Sequence, residues 1–179
     1  EVYGLILSDQ VWEGEVKVVG DIYSLTNNTV TILPGTQVKV AISGDKSNFD
    51  LLPWHQKGGV NTGQNYRGVR NGEPFWDASQ KIQISLNNLI IPGTFSSPVK
   101  VSSDSEDPSP YDFNLIKIRT GYINEAVFSD YRRFEITGDA VISDSVFRNT
   151  GECALCLTLN RPQIYNNFFE ENLRESIWI

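Results

Sequence analysis

At 179 residues the chain suits one domain, 1–179, and its 40% hydrophobic and 21% charged residues exclude both a disordered tail and a membrane protein. No apolar run approaches the ~20 residues that a bilayer span needs, and a formal net charge of −7 argues against nucleic acid, which wants a basic stripe. Glu1 and the absence of any Met carry the expectation that an N-terminal part precedes the chain, with membrane attachment running through that part alone.

The first elements are short strands. Val16, Val18, Val38 and Val40 alternate with polar residues, the period-2 pattern of strands buried on one side. Pro34-Gly35-Thr36 stands between Val30-Thr31-Ile32-Leu33 and Gln37-Val38-Lys39-Val40, and it returns as Pro92-Gly93-Thr94 between Leu89-Ile90-Ile91 and Val99-Lys100-Val101. Proline fixes the entry to a turn and glycine is expected to supply a positive φ at both sites. The chain would then corner sharply between two strands of one coil.

Residues 43–80 break the pattern. They hold six of the fourteen glycines and a group of aromatic and basic side chains: Trp54, His55, Tyr66, Arg67, Arg70, Phe75 and Trp76. A structureless loop beyond ~15 residues inside a domain is uncommon and usually functional. Ring faces stack on sugar C–H groups, while Asn61, Gln64, Asn65 and Arg67 could reach hydroxyls. Trp54, His55, Tyr66, Arg67, Phe75 and Trp76 are therefore the candidate carbohydrate-binding residues. The alternative is that Trp54, Phe75 and Trp76 fold back to cap the fold or cover a sheet, since exposed rings leave an apolar patch in water.

The acidic run Ser102–Asp112 has oxygen ligands for Ca²⁺ but neither the spacing nor the glycine of an EF-hand loop. It reads as a solvated, proline-stiffened turn. After it comes a ladder. Ala126-Val127-Phe128-Ser129-Asp130 recurs as Ser145-Val146-Phe147-Arg148-Asn149 and as Asn167-Phe168-Phe169-Glu170-Glu171, each preceded by a short β-branched or aromatic run. A period near 20 with strands of a few residues predicts a solenoid, and the absence of regular leucines excludes leucine-rich repeats. Cys153 and Cys156, three apart on a strand, are expected to face opposite sides, with a mutual disulfide awkward and a zinc site lacking its second pair. Ser176–Ile179 align with Cys153–Cys156 as the start of another coil. An open solenoid edge wants a cap, so either further chain beyond Ile179, the favoured expectation, or a neighbouring molecule would cover it.

The strand grammar of Trp12-Glu13-Gly14, Gly20-Asp21 and Thr31-Ile32-Leu33-Pro34-Gly35-Thr36 resembles the opening coils of secreted right-handed parallel β-helix proteins, the class that includes pectate lyases and periplasmic NosD-like proteins. The resemblance implies an all-β, right-handed parallel β-helix over most of the chain outside 43–80, and says little of function. The catalytic sets of such enzymes are not matched: Asn61-Thr62-Gly63 lacks a closing aspartate, no Asp-Asp pair occurs, and the one histidine is His55. Asp130, Asp144 and Glu170 form no single row for a two-carboxylate hydrolase. Thr29-Val30-Thr31 is the one Thr-Xaa-Thr, so an ice-binding array is set aside. The coil grammar with a long aromatic insertion is also similar to the tāpirins, cellulose-binding surface proteins, which implies a plant polysaccharide as ligand. The expectation is a non-catalytic extracellular or cell-surface adhesin, with a polysaccharide or cell-wall surface as partner and neither cofactor nor metal. The alternatives are a polysaccharide lyase or hydrolase, and a purely structural envelope, pilus or fibre solenoid.

Overall fold

The computed structural model describes residues 1–24, 27–42, 81–158 and 161–179, with the backbone of 69–70 and 73–74. In chain order the strands are β1 (Val2–Ile6), β2 (Gln10–Trp12), β3 (Glu15–Ser24), β4 (Thr29–Ile32) and β5 (Gln37–Val40), then a small hairpin of β6 (Val69–Arg70) and β7 (Glu73–Pro74). After it come β8 (Gln83–Pro92), β9 (Val99–Ser103), β10 (Phe113–Asn124), β11 (Ala126–Ser129), β12 (Tyr131–Ile136) and β13 (Ala140–Ser143). The last coils are β14 (Val146–Arg148), β15 (Cys153–Leu157), β16 (Gln163–Tyr165), β17 (Phe168–Glu170) and β18 (Glu175–Trp178).

Apart from the β6–β7 hairpin, every strand pairing is parallel, and the pairings join strands one coil apart. The chain is a parallel β-helix with three faces. Face A stacks the start of β3 with β5, β9, β11, β14 and β17. Face B stacks β1, the end of β3, the start of β8 and of β10, then β12, β15 and β18. Face C stacks β2, β4, Asn88–Pro92 of β8, Thr120–Asn124 of β10, β13 and β16.

Alternation along each strand sends one set of side chains into the lumen, and parallel register puts like on like. On face A, Val16, Val38, Val101, Phe128, Phe147 and Phe169 form one column. Ile22, Ile84, Ile116 and Phe134 form another on face B, and Ile91, Ile123, Ile142 and Ile164 a third on face C. Nearly all are buried, with the last coil half-exposed at Ile164 and Phe169. Phe147 stacks on Phe128 and on Phe169, and Phe134 meets Phe128 and Phe147 edge-on from the neighbouring face.

The phenylalanine ladder and the valine alternation thus fall where the sequence places them. Three finer expectations change. The two Pro-Gly-Thr corners work differently: Gly35 takes φ +79, whereas Gly93 lies outside the left-handed region and is small because a Cβ there would strike the carbonyl oxygens of Glu125 and Asn124. Ser176–Ile179 align one residue later than expected, with Leu155 opposite Ile177 and Cys156 opposite Trp178. That restores the 22-residue offset that also pairs Phe147 with Phe169. Cys153 and Cys156 form a disulfide. A bulge in β15 sets them opposite Arg133 and Glu135, two residues that share the outer side of β12. The extra residue cancels the alternation that would have turned them apart.

Candidate functional site

The corners between faces locate the site. From face C to face A every turn but the one from β8 to β9 contains a single left-handed residue: Gly14 (φ 69), Gly35 (φ 79), Glu125 (φ 50), Asp144 (φ 51) and Asn166 (φ 56). Side chains lock these turns to the next coil. Asn167 accepts from the Ser145 amide at 3.0 Å and donates to the Ile142 and Tyr165 carbonyls at 2.9 and 3.0 Å. The corner from face A to face B also carries a single left-handed residue in three coils, at Asp130 (φ 70), Asn149 (φ 50) and Glu171 (φ 53). Buried Asp130 accepts from Asn149 Nδ2 at 2.8 Å, from Ser129 Oγ at 2.8 Å and from the Ser103 amide at 3.2 Å.

Two neighbouring coils open at this A–B corner. One excursion runs from the end of β5 to β8 and contains residues 43–80; the other runs from β9 to β10. Because Val38 pairs with Val101, their starting strands are adjacent, about 4.8 Å apart. At the stem of the long excursion Lys81 Nζ donates to the Ile42 carbonyl at 3.5 Å, and Ile82 is already fully buried. Partial burial lowers the pKa of the Lys81 ammonium, with Asp112 nearby working the other way.

The shorter excursion is the solvated turn that the sequence predicts, exposed over Glu106–Ser109, and its two ends are tied to the coils. Asp104 pairs with Lys17 at 2.8 Å, which raises the lysine's pKa through that hydrogen bond and charge. Ser103 Oγ accepts from the Ser105 amide at 2.9 Å, and Asp112 Oδ2 from the Ser109 amide at 3.0 Å. Tyr111 donates its phenol to the Gly151 carbonyl at 2.8 Å. Behind it, buried Arg132 spans Asn114 at 3.3 Å and Glu152 at 2.8 Å, so its charge is met in the wall. The result is a rigid polar ledge beside the stem.

Trp54, His55, Tyr66, Arg67, Phe75 and Trp76, the expected carbohydrate contacts, lie outside the described residues. The described residues fix the place from which their segment departs. The three carboxylates weighed for hydrolysis are not brought together: Asp130 is buried at the A–B corner, Asp144 sits at the C–A corner, and Glu170 is on face A beside Arg148 at 3.7 Å. Among the described residues no three His, Cys, Asp or Glu side chains gather where a metal ion could sit.

Face C holds none of the residues singled out as a candidate site from the sequence. Its strands contain no Asp, Glu, Lys or Arg, and its outward side chains include Val11, Thr31, Ile90, Tyr122, Val141 and Tyr165. Six separate charge-free stretches line up once the register is known. Phe95 adjoins this face, 90% exposed at the tip of the turn that leaves it. No protein-family model, curated protein or solved structure matches the chain.

Proposed function

We propose that this chain is a non-catalytic carbohydrate-binding domain displayed outside the cell, an adhesin that grips a polysaccharide or cell-wall surface. The observation that carries the reading is the departure of a 38-residue segment, 43–80, with Trp54, Tyr66, Phe75 and Trp76 on it, from one corner of the solenoid, beside a ledge already tied down by Lys17, Asp112 and Tyr111. Binding residues on loops held by a stiff scaffold are the common arrangement for recognition. Trp54, Tyr66, Phe75 and Trp76 supply ring area at small entropic cost, and His55 and Arg67 supply donors for sugar hydroxyls. The Cys153–Cys156 disulfide suits an oxidising compartment. The likeness of the coil grammar to pectate-lyase-like, NosD-like and tāpirin proteins belongs to this reading, and it is the reason to try plant polysaccharides first.

A pull-down on insoluble cellulose and related glycans tests it. The wild-type protein is expected in the pellet, and alanine at Trp54, Tyr66, Phe75 and Trp76 together is expected to weaken retention at least tenfold. Wild-type protein left wholly in the supernatant on every glycan would sink the proposal.

A further inference from the structure

Charge is partitioned among the three faces of the solenoid. Face A presents Glu15, Lys17, Lys39, Lys100, Arg148 and Glu170, and face B presents Lys117, Arg133, Glu135 and Glu175. The six strand segments of face C carry no charge at all, in a chain whose residues are 21% charged. Register aligns Val11, Thr31, Ile90, Tyr122, Val141 and Gln163 in one outward row, with Val11 64% and Tyr122 42% exposed. A flanking row runs Pro92, Asn124 and Tyr165, with Ser143 buried between the last two and donating to Asn124, and Thr29, Asn88 and Thr120 form a hydrogen-bonded row on the other side. Phe95 stands free at the rim.

We infer that face C is a second binding surface, one that takes an uncharged polysaccharide chain laid flat across the coils. The ligand class is that of the proposed function, but the site is separate, since the 43–80 segment leaves by the A–B corner, across the prism from face C. A charge-free sheet asks no ion to shed water on contact, and it has no group with which to pair an anionic or cationic polymer. Aliphatic and aromatic side chains interleaved with hydroxyls and amides match the alternating C–H and O–H surface of a neutral sugar chain. Size separates this occupant from a second copy of the protein. Five inter-strand steps of about 4.8 Å by about five residues at 3.3 Å give roughly 400 Å², half of the ~800 Å² per partner in a stable protein interface. A patch of that area is well suited to a ribbon-like polymer.

The test uses four proteins and one pull-down, with insoluble cellulose, mannan and chitin as neutral probes and polygalacturonate as the anionic one. The proteins are wild type, an insertion variant (Trp54→Ala, Phe75→Ala, Trp76→Ala), a face variant (Ile90→Lys, Tyr122→Glu) and their combination. The face positions point outward, so thermal unfolding of the face variant should match wild type; if it does not, Phe95→Ser with Tyr122→Ser replaces it. The expected result is at least a tenfold loss of retention on a neutral glycan for the face variant, residual binding for the insertion variant, and none for the combination. A face variant that binds like wild type overturns the inference, as does wild-type retention on polygalacturonate alone or on no probe. Sedimentation showing a wild-type dimer that the face variant dissolves also overturns it, because the face would then be a protein interface. If the insertion variant alone abolishes binding, face C falls while the proposed function stands; if the face variant alone does so, the insertion loses its role and face C keeps its own.

Discussion

The ring of Phe147 lies on that of Phe128 with centroids 5.3 Å apart and planes 7° from parallel, although the two are 19 residues apart in sequence. Phe169 continues the stack at 5.5 Å, so the middle ring is covered on both sides and by Phe134 at its edge. Phe147→Ala is expected to cost about 3–5 kcal/mol, the range for a buried aromatic. Phe169→Ala should cost less, because its coil is half-exposed. Urea denaturation of the two variants measures both. Equal losses would mean that the column is not the core.

At the C–A corner Glu125 holds φ 50 with a side chain that gains nothing there, whereas Asp144 and Asn166 are residue types that tolerate this conformation. Asp144 also accepts a hydrogen bond from Asn166 at 3.3 Å. Glu125→Gly is expected to raise stability by about 0.5–1 kcal/mol and Glu125→Val to lower it, since β-branched residues resist positive φ. Asp144→Gly should gain less. Thermal unfolding of the three variants ranks them.

Tyr131 is fully buried and donates its phenol to the Ala154 carbonyl at 3.0 Å, and burial pushes its pKa well above the ordinary value. The folded protein therefore keeps a proton that the unfolded chain gives up near pH 10. Its contribution to stability is whole below that pH and is lost as pH rises beyond it toward the folded value. Denaturant titrations should show Tyr131→Phe about 1 kcal/mol less stable at pH 7 and less sensitive than wild type to alkali above about pH 10. A parallel fall in both proteins would contradict the assignment.

The bulge in β15 predicts an oxidised chain. Intact mass and thiol titration under denaturing, non-reducing conditions should find no free thiol, and Cys153→Ser with Cys156→Ser should cost about 2 kcal/mol or less, because the loop closed by the bond is short. Two reactive thiols would contradict the Cys153–Cys156 bond.

Much of the coil stack is legible in the sequence because parallel register repeats the same residue type at the same height, as with Phe128, Phe147 and Phe169 or Ile123, Ile142 and Ile164. What escapes is whatever depends on one extra residue or on three-dimensional neighbours. The bulge at Cys153–Cys156 leaves no mark in composition. The role of Gly93 depends on Glu125, 32 positions later. Face C emerges only after six separated segments are laid side by side, and the shared corner of the two excursions only after Val38 is set against Val101.

A solenoid that stands by itself, carrying an excursion proposed to bind, can be tested by removing the excursion. The most direct measurement replaces 43–80 by a short glycine-rich link between Ile42 and Lys81, whose side-chain ammonium already reaches the Ile42 carbonyl at 3.5 Å, and follows both thermal unfolding and glycan retention. The expected protein unfolds cooperatively within a few degrees of its parent and loses at least tenfold in retention. A shortened chain that fails to fold, or that binds as tightly as the parent, would contradict it.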